Sequence, residues 1–345
     1  ELFNARQLLH LSRLAEAIDG LQEPEREAIT LAFSDHLTTN CMMSHYAFGW
    51  RRLAPLFSVR AYRHVTRPVE INPWLSGTGR GTFPNAVRQV QRAIEFARQP
   101  KEPLIGGGFR PVHDSNASAS TAEIIHANSR NLYPLVDESV DLVLTDPPYL
   151  DNVAYSELSD FFLPWLQFLK LAPADGEDVV MGFKENSAAR GRDDAAIEKY
   201  ARSLAGSFSE IARVLKSDGR LVFTYQHQVA GAWHALALSM AGAGLRPVQV
   251  FPLLGDGSAG SHNHEGTSKW DAVFVVVKDG RAATLDPLNL SDTHMERALN
   301  HYSYWTRRLS KMTEGGFREA DRRNFLWACL VAGALGMPSN SQHKN

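Results

Sequence analysis

Apolar residues recur at helical spacing over the first twenty positions, as Leu8, Leu9, Leu11, Leu14, Ala15 and Ile18, and Gly20 stands where such a helix would end. A second run over about 24–50 opens on Pro24 and continues through Ile29, Leu31, Phe33 and Leu37 into Met42, Tyr46 and Trp50, predicting a second helix with an aromatic end. Residues 68–85 and 103–120 are rich in Gly, Pro, Ser and Asn and predict loops framing one helix around 85–98. From Thr121 the pattern changes to short apolar runs separated by helices, the order in which a parallel sheet is laid down. The expected strands are 122–127, 140–145, 220–225, 246–254 and 271–277. The second of these is continuous and expected to be buried, with a short helix over 131–137 leading into it. The expected helices are an aromatic one over 155–170, one over 193–215 that ends before the turn Ser217-Asp218-Gly219, and one over 231–243. This alternation predicts an α/β chain with the back half of a doubly wound sheet at 121–285, a mainly helical region at 1–120 and a helical extension at 286–345.

Composition narrows the class. With 44% hydrophobic and 21% charged residues in 345, the chain has the profile of a folded globular protein. Its two cysteines, Cys41 and Cys329, supply neither a disulfide framework nor a cysteine zinc site, which favours a reducing, cytoplasmic setting. No apolar run approaches the roughly 20 residues that span a bilayer, so no membrane role is expected. The net charge of −2 argues against indiscriminate nucleic-acid binding through bulk charge.

The chemistry concentrates where the strand 140–145 runs into Asp146-Pro147-Pro148-Tyr149, since ligands of open α/β sheets bind beyond the carboxyl ends of strands. The plain reading of these four residues is a turn, because Asp and Pro favour turns. The chemical reading starts from an exocyclic amine on a base, whose lone pair is delocalised into the ring. The Asp146 carboxylate and the Pro147 carbonyl can each accept one N–H, aiming the nitrogen and stabilising the charge that grows on it. Pro148 stiffens the loop, and Tyr149 offers a flat face to a base swung out of its helix, a contact worth about 1–3 kcal/mol.

The stretch Ser139 to Tyr149 closely resembles the catalytic motif of amino-methyltransferases that act on DNA. Its continuation, Asp151-Asn152-Val153-Ala154-Tyr155 through Phe162, is similar to the large adenine-specific DNA methylases, often with a zinc ribbon, of prokaryotic phage-defence loci. Phe3-Asn4-Ala5-Arg6-Gln7 resembles the Phe-Thr-Pro-Arg-Gln segment of that family and departs from it at two positions. The resemblance implies a Rossmann-like doubly wound methyltransferase sheet, S-adenosylmethionine as cofactor, DNA as partner, and methyl transfer to adenine N6 by direct in-line displacement. It implies catalysis by Asp146, Pro147, Pro148 and Tyr149, base binding by Tyr149 and Tyr155, and cofactor binding by Phe3, Arg6, Gln7 and Asp146. Cytosine N4 in DNA and guanine N2 in RNA are alternative targets. A non-catalytic recognition or assembly subunit of a defence or restriction-modification complex is the rival from another class.

The glycine-rich cofactor loop of that family has no clear counterpart. Gly77-Thr78-Gly79-Arg80-Gly81 follows a poor strand, and Gly106-Gly107-Gly108 suits a flexible connection. The sheet is therefore expected to be incomplete in this chain, with an N-terminal half or a partner chain supplying the loop. Arg51, Arg52, Arg60, Arg63 and Arg67, with Phe57 and Tyr62 among them and no acid, form a candidate DNA contact or a solvated basic face. The stretch Arg307 to Arg323 is basic but interrupted by acids, and reads as a solvated surface. Phe161, Phe162 and Trp165 read as core, and only Tyr155 as a pocket wall. His262, His264 and Glu265 fall in a Gly- and Ser-rich loop, so no metal is expected, and 255–268 reads as a mobile loop over substrate resembling the last hairpin of such methyltransferases.

Overall fold

The computed structural model describes residues 2–59, 65, 67–77, 81–112, 122–125, 127–150, 155–172, 193–255, 268–279, 290–312 and 317–338. They belong to two compact units, one of residues 1–123 and 154–186 and the other of 124–153 and 187–345. Among the described residues no helix is long and apolar enough to cross a membrane.

The first unit opens with α1 (Ala5–Asp19), whose start is fixed by a reciprocal cap: the Asn4 side chain accepts the Gln7 N–H at 2.9 Å and the Gln7 side chain accepts the Asn4 N–H at 3.0 Å. Leu11, Leu14, Ala15 and Ile18 form its buried stripe, packed with Phe33, Leu37, Cys41 and Leu56. The second helix, α2, covers only Glu25–Leu37, so the expected run to 50 is corrected. Thr38, Thr39 and Asn40 stop it, because each side chain bonds a carbonyl of the preceding turn and offers the backbone an alternative to the helix. The chain then forms a short ribbon of β1 (His45–Ala47) and β2 (Arg52–Ala54). It continues through α3 (Phe83–Arg98) to a second ribbon, β3 (Lys101–Pro103) and β4 (Phe109–Pro111). The aromatic helix expected over 155–170 is two short ones, α4 (Tyr155–Asp160) and α5 (Leu163–Phe168). Pro164 lies in the first turn of the second, and Phe161 is buried just before it.

A buried polar knot ties α1, α2 and the loop before α3 together. Gly81 takes a left-handed φ of +90°, and a Cβ there would meet Thr39 at 2.3 to 2.5 Å, so only glycine fits. Its carbonyl accepts from Thr39 at 2.9 Å and from His36 Nδ1 at 2.8 Å. That leaves His36 Nε2 to accept from His10 Nε2, 2.9 Å away.

The second unit holds a four-stranded sheet in the order β5 (Val140–Thr145), β6 (Leu215–Tyr225), β8 (Trp270–Lys278), β7 (Leu245–Leu254). β5 and β6 are parallel, and β8 lies antiparallel between β6 and β7. The sheet is thus mixed, which corrects the expectation of a parallel one. Leu221, Phe223, Tyr225, Phe274 and Val276 share one face and are fully buried. They pack with Phe208 of α6 (Asp194–Val214) and with Trp233 and Leu236 of α7 (Ala230–Gly242). Each such side chain contributes about 2 kcal/mol of burial. The helix α8 (Asp292–Met312) joins the same core through Ala298 and Leu309, and α9 (Glu319–Ala334) through Phe325, Ala328 and Cys329; His301 on α8 donates to the Val250 carbonyl at 2.6 Å.

Four further expectations change. Residues 122–125 form no strand, and 131–137 are turns rather than a helix. The β6 strand begins five residues early, with the expected turn at 217–219 absorbed as a bulge opposite Val140–Leu142. Most consequentially, β5 is not buried: Leu142 is 57% and Leu144 76% exposed on one face of the sheet, and among the described residues β5 pairs only with β6 and is an edge strand.

Burial pushes the His36 imidazole down to about 4, with His10 adding to the effect. The unfolded chain therefore binds this proton near 6.5 while the folded chain resists it, so stability is full above 6.5 and falls as pH drops toward 4. The expected loss is on the order of 3 kcal/mol. Circular-dichroism melts at pH 7.5 and 4.5 check it: a His36→Asn variant should start less stable and lose less on acidification than the parent.

Candidate active site

The parallel register sets the geometry. Thr145 on β5 pairs with Phe223 on β6, which brings the residue after each strand position level, Asp146 beside Thr224. Asp146 Oδ1 accepts the Thr224 hydroxyl at 2.6 Å and the Tyr149 hydroxyl at 2.9 Å. Its Oδ2 takes no hydrogen bond from the described residues, and the side chain is open to solvent. The carboxylate is therefore held in orientation by two hydroxyls while one oxygen remains available to an incoming N–H.

The loop that follows is anchored by its carbonyls. Tyr200 on α6 donates to the Pro148 carbonyl at 3.0 Å and lies 3.1 Å from the Tyr225 hydroxyl. His227 Nε2 donates to the Leu150 carbonyl at 2.8 Å, and its Nδ1 accepts the Val229 N–H at 3.0 Å, which fixes the tautomer. Pro147 and Leu150 are buried, Pro148 is exposed and Tyr149 is half-buried. The Tyr149 ring packs edge-on against Tyr225, with ring centres 5.3 Å apart. Burial, then the charges of Asp271 and Asp146, hold the Tyr149 phenol far above its ordinary range, so it stays neutral and donates.

A second carboxylate belongs to this cluster. Asp271 is the second residue of β8 and lies on the same face as Val273, which pairs with Thr224. Its carboxyl is pushed up to about 6, first by burial and then by the negative charge of Asp146. No hydrogen-bond donor or cation among the described residues compensates it. The Gly255 backbone closes the other side, since a Cβ there would come within 2.7 Å of Asp271 Oδ2. Sequence reading placed Asp271 at a strand start and gave it no role. The available signal was an acid opening the otherwise apolar segment Trp270 to Val277.

The other expected site residues are distributed differently. Phe3, Arg6 and Gln7 belong to the first unit: Phe3 stacks on Phe161 at 5.5 Å, Arg6 pairs with Glu70 at 3.0 Å, and Gln7 is occupied in the cap of α1. The side chain of Tyr155 lies outside the described residues, as do Arg60, Arg63, Tyr62, His262, His264, Glu265 and 256–267 of the long loop. Arg51, Arg52 and Arg67 are exposed, whereas Phe57 packs against Phe161 and Phe162 instead of interleaving with them. Residues 78–80 of the first glycine segment are outside the described set. Gly106 to Gly108 form the turn between β3 and β4, where Gly107 donates to Leu104. No known family model matches the chain, and no curated protein matches it.

The Asp271 shift carries a stability consequence. Its folded proton affinity exceeds that of an unfolded Asp, so the folded state is favoured below about pH 4 and loses that advantage as pH rises through 6. Asp271→Asn is expected to stabilise the protein at pH 7.5 and to change little at pH 4. Urea unfolding at the two pH values measures the difference, and equal effects at both would contradict the assignment.

Proposed function

We propose that this chain carries the catalytic half of an S-adenosylmethionine-dependent methyltransferase acting on adenine N6 in DNA. The observation that carries the reading is the Asp146 carboxylate, oriented by Thr224 and Tyr149 at the end of β5 and left with one open oxygen. An aromatic amine is a weak nucleophile, and a fixed acceptor that strengthens its hold as charge develops acts on the transition state rather than on binding alone. The closing β7–β8 hairpin, with β8 antiparallel inside the sheet, supports the Rossmann-like methyltransferase fold that the motif resemblance implies.

The donor set suits a sulfonium cofactor, because Asp146 and Asp271 present negative charge that no cation among the described residues neutralises. When bound, the cofactor supplies an electrophilic methyl group. Asp146 then accepts an N–H of the target amine, and the anchored loop keeps that acceptor in place. Tyr149, held by Tyr225 on one side, has its remaining ring surface for the extruded base.

Two features support a partner or N-terminal half that supplies the glycine-rich loop. No strand-to-helix glycine turn occurs among the described residues, and the apolar edge of β5 exposes Leu142 and Leu144. The same features favour, as a second reading, a DNA-recognition or assembly subunit that keeps the fold without the reaction. The proposed setting is cytoplasmic, in keeping with two free, buried cysteines.

Labelled methyl transfer to adenine-containing duplex DNA, at millimolar cofactor to offset a partial pocket, tests the reading. Nucleoside analysis should find label in N6-methyldeoxyadenosine, and Asp146→Ala should lower the rate about 100-fold or more. Label in N4-methyldeoxycytidine would move the target to cytosine. DNA binding without transfer would favour the recognition subunit.

A further inference from the structure

Asp271 presents a half-buried carboxylate with no partner among the described residues, within the electrostatic reach of a second carboxylate, Asp146. Burying an unpaired charge is costly, and proteins ordinarily supply a donor or a cation. Here the described residues supply neither. At Gly255, the residue after β7, a Cβ would come within 2.7 Å of Oδ2, which leaves no room for a side chain on that side. Among the described residues the titratable groups acting on Asp271 are Asp146 at the end of β5 and Tyr149 in the following loop; Tyr149 is neutral and bonded to Asp146, so it brings no positive charge. Thr224, on the same face of the sheet, is likewise committed to Asp146. The two acids are thereby made unlike: Asp146 is ordered by two hydroxyls and open to solvent, and Asp271 is half-buried and takes no donor from the described residues.

Resting on the methyltransferase reading, we propose that the two carboxylates divide the work, with Asp146 orienting the amine and Asp271 taking the proton that the amine must lose. In the transfer the nitrogen lone pair forms the N–CH3 bond as the C–S bond breaks, and the electron pair of that bond returns to sulfur as a neutral thioether. The nitrogen, cationic for that moment, releases one N–H proton to the Asp271 carboxylate, which passes it to water and is restored. Charge and atoms balance without any further reactant. The seclusion of Asp271 serves this role, since a base whose proton affinity approaches the working pH accepts a proton more completely than an ordinary carboxylate does.

Two measurements test the proposal. In the first, kcat for DNA methylation is followed against pH in the parent and in Asp271→Asn, which keeps the shape and removes the base. The parent should lose rate as pH falls through about 6. The variant should lose about 100-fold in kcat, with little change in KM for the cofactor, and should show no such acid limb. The second needs no activity: the carboxyl carbon of Asp271, followed by NMR, should titrate near 6 and move toward the ordinary carboxylate range in Asp146→Asn. An Asp271→Asn variant with full kcat and an unchanged acid limb, beside an inactive Asp146→Ala, overturns the role of Asp271 and leaves the methyltransferase reading intact. A parent without transfer at saturating cofactor overturns both. A titration unaltered by Asp146→Asn removes the coupling on which the division of labour depends.

Discussion

The hydroxyl of Tyr200 reaches the Pro148 carbonyl from helix α6 and lies beside the Tyr225 hydroxyl of β6, so one buried phenol joins the motif loop, a helix and a strand. Tyr200 and Tyr225 both have their phenols pushed well above the ordinary range by burial, and neither can ionise to break the arrangement. The carbonyl of a proline-containing turn is an acceptor that the turn itself leaves unpaired. Supplying its donor from the core side fixes which way the next residue points. Tyr149 is consequently directed back toward Asp146, and Thr224 completes the hold from the neighbouring strand. The exposed carboxylate, held directly by Tyr149 and Thr224, thus depends also on Tyr200 and Tyr225 behind them, through a chain of contacts rooted in the core of the second unit.

Much of this architecture was legible in the sequence where one pattern dominated. The strands at 140–145, 246–254 and 271–277 and the helices at 193–215 and 231–243 occur within a few residues of their expected positions, because periodicity and caps such as Asp193 speak without rivals. Legibility failed where side chains compete with the backbone, as at Thr38 to Asn40, whose apolar neighbours continue a helical pattern that their own hydroxyl and amide groups end. It failed again for 122–125, where an apolar run has no strand to pair with among the described residues. Continuous apolarity also suggested that β5 was buried on both faces, yet its composition reports what the strand is suited to contact, not what the described residues place against it. Within the site, Asp146 to Tyr149 were evident from chemistry and sequence proximity. Thr224, Tyr200, His227 and Asp271 were not, since their roles arise only from register and from folding distant segments together.

The two units illustrate different uses of buried polarity. In the first, the His10–His36 pair and the Gly81 carbonyl satisfy one another, so that burial costs are offset within the knot and the result is rigidity. In the second, the described residues leave the half-buried Asp271 carboxylate uncompensated beside the charge of Asp146, and part of the stability contributed by the aromatic core is spent on keeping it there. Substitutions that relieve such a site commonly stabilise a protein while removing what it does. The contrast offers a physical criterion for telling a structural polar cluster from a reactive one in a chain of this kind: whether the group is complete without a ligand.

The edge of β5, unpaired among the described residues, governs more than its partner in the cell. An unpaired backbone flanked by Leu142 and Leu144 accepts any extended segment that reaches it, including the same edge of another copy. Occupancy is then a question of mass action, in which the purified chain competes with itself as its concentration rises. Colloidal behaviour, and with it the useful concentration range for crystallisation or spectroscopy, therefore depends on six residues of one strand as well as on the net charge of the whole surface.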